Sequence, residues 1–211
     1  MDPDDAILVC AVQNRAIEAI ADKFEATSIS FITIGRGVVG TAARHTLEEQ
    51  LERNLPDDVK IARATLHAAE KNKSRHALEL LQLPPRVRTD SEEKVLKDSS
   101  EKVVKDFSEA RKKLEKAELD AYLAISSTTT ALLCTTAAIS AAFHDARLNP
   151  LIERVKTACL DEAGSAADRH VLPIIQYCDQ VERLVLFGDT KQLPGVYQNN
   201  INKLQTLFTC H

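Results

Sequence analysis

Aromatic residues are scarce in this chain of 211 residues. They make up 4% of it, and tryptophan is absent. Surfaces that bind nucleic acid by base stacking need a platform rich in rings, so this class of surface is excluded. The net charge of -4 also excludes bulk electrostatic attraction to nucleic acid as the main binding force, although a local basic groove remains open. The composition is otherwise that of a globular protein, with 44% hydrophobic and 27% charged residues.

Paired cysteines and long apolar runs are missing as well. The five cysteines stand singly, without the paired spacing of a metal knuckle. We interpret them as buried, reduced thiols in a protein of the cytoplasm or nucleus. Met1 is followed by acidic residues rather than by the pattern of a signal peptide, and no apolar stretch is long enough to span a bilayer. We therefore expect no membrane partner.

Five short apolar runs are present, and helical patterns such as residues 14–24 and 167–178 separate them. Apolar runs of this length predict strands that are buried on both faces of a parallel sheet. The predicted fold class is therefore α/β, with a parallel sheet flanked by helices. The predicted strands are residues 6–10, 28–34, 131–136, 155–160 and 183–188.

The middle of the chain, residues 41–123, has little strand pattern and much charge. In its second half apolar residues recur at mostly alternating spacings of four and three, which indicates a coiled-coil seam. Together with the helical pattern of residues 59–83, this predicts an antiparallel helical hairpin inserted into a domain built from residues 1–40 and 124–211. We interpret the charged faces as solvated surface. The seam residues are Leu96, Val103, Phe107, Ala110, Leu114, Ala117 and Ala121.

A glycine pattern, G-x-G-x-x-G, lies between a predicted strand and a predicted helix at Gly35, Gly37 and Gly40. This pattern is typical of dinucleotide-binding turns. The next twenty residues hold no second strand that ends in an acid, as a ribose site requires. Thr41 and Ala42 stand where a phosphate-binding loop needs Lys and Ser or Thr. We interpret the pattern as a flexible glycine turn.

Acidic residues follow two of the predicted strands at the point where each ends. Asp161 and Glu162 follow the fourth strand, and Asp189 follows the fifth. Ligands of open parallel sheets bind beyond the carboxyl ends of the strands. One carboxylate there can hold Mg²⁺ while its neighbour faces a water. A helix start also favours acids, which would account for the first pair but not for Asp189.

These residues lie in sequences that resemble a known family. The stretch LDEAGSAADRHVLPII, followed by LVLFGDTKQLPG, resembles motifs II and III of superfamily-one helicases, in the branch that includes the nonsense-mediated-decay helicase. Upstream, ILVCAVQNRAIEAIADKF is similar to motif Ia, ISFITIGRGV to the strand after it, and ALLCTTAAIS to the next strand with its Thr-rich turn. The resemblance implies a RecA-like, P-loop-NTPase-type first motor lobe, with the hairpin at the family's helical insertion.

The resemblance also implies roles for individual residues. Asp161 would hold the Mg²⁺ of ATP, and Glu162 would orient or deprotonate the attacking water. Gln192 would sense the γ-phosphate of the bound nucleotide, and Asp189 and Lys191 would shape that turn at the nucleotide.

The implied nucleic-acid contacts lie on other strands of the sheet. Asn14, Thr135 and Thr136 would contact the backbone of single-stranded RNA or DNA without reading its sequence. Protein partners that bind through the helical insertion belong to an alternative hypothesis, which is given below.

Several family features are expected to be missing. Six residues precede Ile7, where the family has its P-loop lysine further upstream, and the second lobe with its arginine finger would follow the last motif. An arginine finger alone contributes about 10³–10⁵ in rate. The motifs also diverge from the family pattern: Val12 stands for Pro, Gln13 for Ser, Glu18 for Asp, Ser165 for Gln and Asp168 for Glu.

Two hypotheses follow from this combination. The chain is part of the first motor lobe of an ATP-dependent helicase and is inactive alone, or it is a non-catalytic scaffold that binds protein or RNA partners through its insertion. In the family, the P-loop strand pairs with the motif III strand. We therefore expect the strand of residues 183–188 to have an unpaired apolar edge and the lone chain to be poorly soluble.

Overall fold

A parallel β-sheet forms the centre of the first of the protein's two compact units. The computed structural model describes residues 4–82, 90–164, 166, 168–177 and 180–188. Within these residues five strands pair in the order β2-β3-β1-β4-β5, and every pairing is parallel. The predicted α/β class and its parallel sheet are confirmed. The strands are β1 (Ala6–Ala11), β2 (Phe31–Ile34), β3 (Ala131–Thr135), β4 (Val155–Leu160) and β5 (Arg183–Leu186).

The central strand, β1, is buried along most of its length and pairs with a strand on each side. Cys10 is paired with Cys134 of β3 and with Leu160 of β4. The sequence AILVCA has no polar side chain, as a strand covered on both faces requires. The β3 and β4 runs are mainly apolar. Their long-range pairing with β1 places the ends of all three strands side by side.

Helices cover both faces of the sheet. The described helices are α1 (Asn14–Ala26), α2 (Gly40–Arg44), α3 (Leu47–Arg53), α4 (Asp57–Gln82), α5 (Asp90–Thr128), α6 (Ile139–Phe143), α7 (Asn149–Ile152) and α8 (Asp168–Tyr177). Because strand side chains alternate between faces, the core divides into two clusters. One cluster packs alternate strand residues against α1 and α2 through Ile17, Ala21 and Ala42. The other packs the opposite face against α3 and α6–α8, for example through Ile139 and Ile174.

The chain divides into two compact units, and the second, Asn54–Ala121, is a helical hairpin. Its two helices are antiparallel, because Arg63 forms an ion pair with Glu118 at 3.0 Å and His76 lies 3.1 Å from Ser100 Oγ. Every predicted seam residue is buried or half-buried on its helix. The insertion was expected to cover residues 41–123. The hairpin unit is shorter, because residues 41–53 form α2 and α3, whose Ala42 and Leu47 pack in the core of the sheet.

The prediction that all five strands are buried on both faces is wrong for β5. Leu184, Val185 and Leu186 are 36–38% exposed, and Phe187 is 54% exposed. β5 lies at one end of the strand order, and within the described part of the chain no strand pairs with its outer side. End position alone does not explain the exposure, because β2 lies at the other end and is buried. An apolar sequence predicts the strand itself but not the layer that covers it.

None of the helices in the described ranges combines the length and the apolar character that crossing a membrane requires.

Candidate functional site

All candidate residues that can be located lie at one edge of the sheet. Because the five strands are parallel, their carboxyl ends share one edge, and the segments that follow them are neighbours there. The two carboxylates after β4 lie near one end of the strand order, beside β5. Asn14 follows β1, and the Thr135–Thr136 turn is at the end of β3. The edge is thus divided into a carboxylate side and an amide and hydroxyl side.

Two backbone hydrogen bonds hold the acidic turn after β4. The amide of Asp161 donates to the carbonyl of Cys10 at 2.8 Å, which joins the turn to the end of β1. The amide of Ala163 donates to the carbonyl of Phe187 at 2.7 Å, which joins it to the end of β5. The acidic turn is therefore fixed between its two neighbouring strands.

The Asp161 side chain stabilises the turn that it belongs to. Its Oδ1 accepts a hydrogen bond from the backbone amide of Glu162 at 2.9 Å. A carboxylate that accepts a backbone amide in this way is held in one orientation. Among the described residues no group donates a hydrogen bond to its Oδ2, and the side chain is half-buried.

Glu162 has an unusual backbone conformation. Its φ is +55°, in the left-handed region that residues with a Cβ rarely adopt. Such a conformation costs about 1–2 kcal/mol, and it persists where the surrounding structure imposes it. Its Oε2 is buried although the residue as a whole is only half-buried. The strain is located at Glu162, whose role in orienting the attacking water stays a prediction from the resemblance.

The segments after β4 and β5 are in close contact. A Cβ built at Gly188 would stand 2.6 Å from the backbone nitrogen of Gly164, a distance that real side chains do not reach. Glycine is therefore required where β5 ends beside the acidic turn. Asp189, Lys191 and Gln192 lie outside the described residues, so their predicted roles stay predictions. The strand that leads to them, however, is the direct neighbour of β4.

Asn14 is exposed and holds the glycine turn after β2. Its Nδ2 donates to the carbonyl oxygens of Arg36 and Gly37, at 3.1 and 3.4 Å. Gly37 has a φ of +72°, which explains the need for glycine in this turn. The sequence pattern that resembled a dinucleotide site is thus a turn bound to the predicted nucleic-acid residue Asn14.

The two threonines after β3 differ in exposure. Thr135 is half-buried, but Thr136 is 3% exposed, and its hydroxyl lies 3.0 Å from Nδ1 of His170 in α8. The Thr136 hydroxyl is therefore hydrogen-bonded within the protein, to the His170 ring. Its predicted contact with nucleic acid stays a prediction.

His170 is a site residue that the sequence did not reveal. It joins the turn after β3 to the helix that follows the acidic turn. A lone histidine in an amphipathic helix carries no signal of a partner 34 positions away in the sequence. Only the packing of α8 beside the end of β3 brings the two side chains together.

The cysteines of the sheet are structural. Cys10 and Cys134 are fully buried, with their sulfur atoms 3.8 Å apart, and burial raises the pKa of the Cys159 thiol. A thiol with a raised pKa is a poor nucleophile. Within the described ranges no group of three or more His, Cys, Asp or Glu side chains forms a protein-only metal site.

The comparison with protein families agrees with the geometry. The family model described as an AAA domain matches residues 1–200, almost the whole chain. No curated protein matches the chain. The parallel sheet with its flanking helices is the fold expected of such a domain. The chain therefore belongs to this AAA-domain family, a superfamily-one helicase-like family of ATPases.

Proposed function

We propose that this chain is part of the first motor lobe of an ATP-dependent RNA or DNA helicase, in the branch of the nonsense-mediated-decay helicase. One observation carries the proposal. The amide of Ala163 in the acidic turn is bonded to the carbonyl of Phe187 at the end of β5, so the segments after β4 and β5 meet at the carboxyl edge. Nucleotides bind at this edge in open parallel sheets.

The residues of the acidic turn fit a magnesium-nucleotide. Mg²⁺ prefers oxygen ligands and keeps several waters, so a single protein carboxylate beside nucleotide phosphates is a sufficient anchor. Asp161 has one oxygen fixed by the amide of Glu162, which directs the carboxylate and leaves Oδ2 for the ion. The ion would neutralise phosphate charge in the bound state.

Glu162 is proposed to hold and orient the attacking water. Its left-handed backbone turns the residue away from the direction that the strand would otherwise give it, and its half-buried position restricts its motion. A base that is held in one orientation needs no rearrangement when the reaction begins. Gln192, with Asp189 and Lys191, is proposed to contact the γ-phosphate from the β5 side.

We expect the 211 residues alone to hydrolyse ATP slowly or not at all. They contain no G-x-x-x-x-G-K-[ST] sequence to cradle the phosphates. In motor ATPases most of the rate comes from positioning the phosphates and neutralising their charge. The carboxylates would then act together with groups outside these residues.

The nucleic-acid contacts are proposed at the other half of the edge, through Asn14, Thr135 and Thr136. Asn14 is exposed and Thr135 is half-buried, and their polar groups suit phosphate and sugar rather than base edges. Thr136 would have to give up its contact with His170 to join them. The proposed place of action is the cytoplasm or the nucleus, where single-stranded RNA or DNA is present.

A second candidate function is a scaffold that binds protein or RNA partners through the helical hairpin. The hairpin carries large apolar side chains that stay exposed in its own unit. Exposed apolar surface of this kind is typical of helix-docking sites. The residues are Ile61, Leu78, Leu81, Val95 and Val104.

Titration calorimetry separates the two functions. The full chain is titrated with Mg-ATP and with a single-stranded 12-mer, and Asp161→Ala is compared with Asp106→Ala, an exposed acid of the hairpin. The motor-lobe proposal expects nucleotide binding at least tenfold weaker in Asp161→Ala, with Asp106→Ala unchanged. Absence of any Mg-ATP binding would contradict the motor-lobe proposal and favour the scaffold, whether or not the 12-mer binds.

A further inference from the structure

A cavity lies at the amino edge of the sheet, where the parallel strands begin. One of its lining residues is Val155, the first residue of β4, which is 1% exposed. The ends of three helices surround it, since Phe143, Ile152 and Tyr177 are the last residues of α6, α7 and α8. A strand rises about 3.3 Å per residue, so β4 separates the cavity from the acidic turn by roughly 20 Å. The cavity and the candidate nucleotide site thus lie at opposite ends of one strand.

The size and the walls of the cavity suit one small molecule. Its volume is about 330 Å³, at the lower end of the range for small-ligand pockets, about 300–1,000 Å³. Phe143, Ile152 and Val181 are half-buried and pack against the core cluster that contains Val155. The apolar walls are therefore held in place by the core of the sheet.

Two aromatic rings stand at the cavity in an edge-to-face arrangement. The ring centroids of His144 and Tyr177 are 5.6 Å apart, and the ring planes meet at 73°. The His144 ring is oriented by its Nδ1, which lies 2.6 Å from the carbonyl oxygen of Ser140. Because a carbonyl only accepts hydrogen bonds, Nδ1 carries the proton, and in the neutral ring Nε2 is left as an acceptor. The pair offers apolar ring surface together with one acceptor nitrogen.

Two carboxamides complete the lining. Gln176 lies on the last turn of α8 and Gln180 in the connection to β5, and both residues are exposed. Within the described residues neither side chain makes a hydrogen bond. A carboxamide has two donor hydrogens and an acceptor oxygen, so these groups suit a ligand that carries donors and acceptors along one edge.

The cavity is uncharged. Among the described residues that line it there is no Asp, Glu, Lys or Arg. The charges next to it in the sequence are already engaged: Lys156 pairs with Glu182 at 3.4 Å, and Arg154 donates to the carbonyl of Pro150 at 3.1 Å. A charged ligand would lose its hydration here without gaining a partner of opposite charge. The lining therefore disfavours phosphates and carboxylates and favours a neutral ligand.

We propose that this cavity binds an uncharged heteroaromatic ring of the nucleobase type, as a free base or a nucleoside. Such a ring has apolar faces for the pair of His144 and Tyr177, and an edge of donors and acceptors for Gln176 and Gln180. The bound ring would bridge the end of α6 and the end of α8. The site is separate from the proposed nucleotide and nucleic-acid contacts, so it adds a ligand to the proposed function.

Titration calorimetry of the full chain with adenosine and with uridine tests the proposal. Indole serves as a comparison ring that lacks a hydrogen-bond acceptor edge. We compare Gln176→Ala and Val181→Phe with Gln13→Ala, which removes an exposed glutamine that makes no capping bond. Val181→Phe takes up space in the cavity with apolar atoms, so its melting temperature should equal or exceed that of the native chain. Asp161→Ala removes the candidate magnesium ligand and leaves the cavity unchanged.

We expect at least one nucleoside to bind the native chain with a Kd on the order of 0.1 mM. Indole should bind at least tenfold more weakly, because it leaves the carboxamides without partners. Gln176→Ala should weaken nucleoside binding about fivefold, the effect of one lost hydrogen bond, and Val181→Phe at least tenfold. Gln13→Ala and Asp161→Ala should bind the nucleoside as the native chain does.

Several results would overturn the proposal. If neither nucleoside binds the native chain, or if Val181→Phe binds as tightly as the native chain, the cavity is not a nucleobase site. If Val181→Phe melts below the native chain, the exposed Gln176→Ala decides in its place. Indole binding as tight as that of the nucleosides would mean that the proposed ligand class is wrong.

The Asp161→Ala variant keeps this proposal apart from the proposed function. If it loses nucleoside binding, the nucleoside occupies the candidate nucleotide site and the proposal for the cavity fails. Binding of Mg-ATP to the native chain decides the proposed function separately, whatever the nucleosides do at the amino edge.

Discussion

The two edge strands of the sheet have similar sequences and opposite surroundings. β2 reads FITI and β5 reads RLVL, and each is a short, mainly apolar run that pairs on one side within the described residues. Three of the four β2 residues are buried, whereas all four β5 residues are exposed. The comparison shows that burial of an edge strand depends on the segments that cover it.

The β2 edge is covered by groups that bond to its backbone. Gln50 of α3 donates its Nε2 to the carbonyl of Phe31 at 2.7 Å, and the amide of Thr33 donates to the carbonyl of His45 at 2.9 Å. The Phe31 ring stacks on His45, with centroids 4.0 Å apart. These contacts take up the donors and acceptors that a free edge would offer to another strand.

The described backbone contacts of β5 lie on the side that faces β4. The two strands pair, and the amide of Phe187 donates to the carbonyl of Leu160 at 2.8 Å. Within the described residues no group comparable to Gln50 covers its outer side. The end of β5 lies close against the acidic turn. The strand therefore contributes more to the candidate site than to the buried core.

The largest expected effect comes from Gly188→Ala. The new Cβ would stand 2.6 Å from the nitrogen of Gly164, so the acidic turn or the end of β5 must move. We expect a loss of about 2–3 kcal/mol in the free energy of unfolding, together with loss of nucleotide binding. Urea unfolding and calorimetry measure both.

A control for this substitution lies at the end of β2. A Cβ at Gly37 would meet Asn14 Nδ2 at 3.6 Å, an ordinary contact, so Gly37→Ala carries only the cost of its positive φ, about 1–2 kcal/mol. It should leave nucleotide binding intact. If both variants lose nucleotide binding equally, close packing at Gly188 is not what holds the acidic turn.

The next effect concerns self-association. An apolar edge that lacks cover can pair with a second chain, so we expect the native chain to form oligomers or aggregates at micromolar concentration. Leu184→Lys should raise the protein concentration at the midpoint of association at least tenfold, as measured by light scattering. Val39→Lys replaces an equally apolar side chain, 57% exposed outside any strand, and should change little. A native chain that stays monomeric at every concentration would contradict this prediction.

Much of the fold could be predicted from the sequence, because burial and periodicity are local signals. The runs that became β1, β3 and β4 are mainly apolar and pair in the centre of the sheet. The hairpin seam, from Leu96 to Ala121, follows from the spacing of apolar residues alone. The exposure of β5 could not be predicted, because it depends on the absence of a covering group and not on the strand.

The candidate site was predictable in part for the same reason. Asp161 and Glu162 end an apolar run, and parallel strands bring such ends to one edge. The left-handed φ of Glu162, the bond between His170 and Thr136 and the role of Asn14 in the glycine turn are results of tertiary packing. No local pattern in the sequence encodes them.

A smaller effect is expected from removing the cover of β2. Gln50→Ala leaves the carbonyl of Phe31 without its 2.7 Å hydrogen bond in a partly buried place, which should cost about 1–2 kcal/mol. Gln13→Ala removes an exposed side chain that makes no capping bond and should cost nothing measurable. If Gln50→Ala is as stable as Gln13→Ala but associates at lower concentration, the cover prevents pairing with other chains rather than stabilising the fold.

The smallest effect concerns two buried hydroxyls, Thr33 on β2 and Thr157 on β4, beside β5. Among the described residues neither Oγ1 has a hydrogen-bond partner, and the two threonines are 0% and 6% exposed. Thr→Val keeps the shape and removes the cost of an unsatisfied polar group, so each variant should gain up to about 1 kcal/mol in urea unfolding. The gain should be larger at Thr33, because its surroundings exclude water more completely than those of the strand next to the exposed edge. Equal gains would mean that β5 excludes water from Thr157 on β4 as well as α3 excludes it from Thr33 on β2. The two edges of the sheet would then differ only in the exposure of their outer sides.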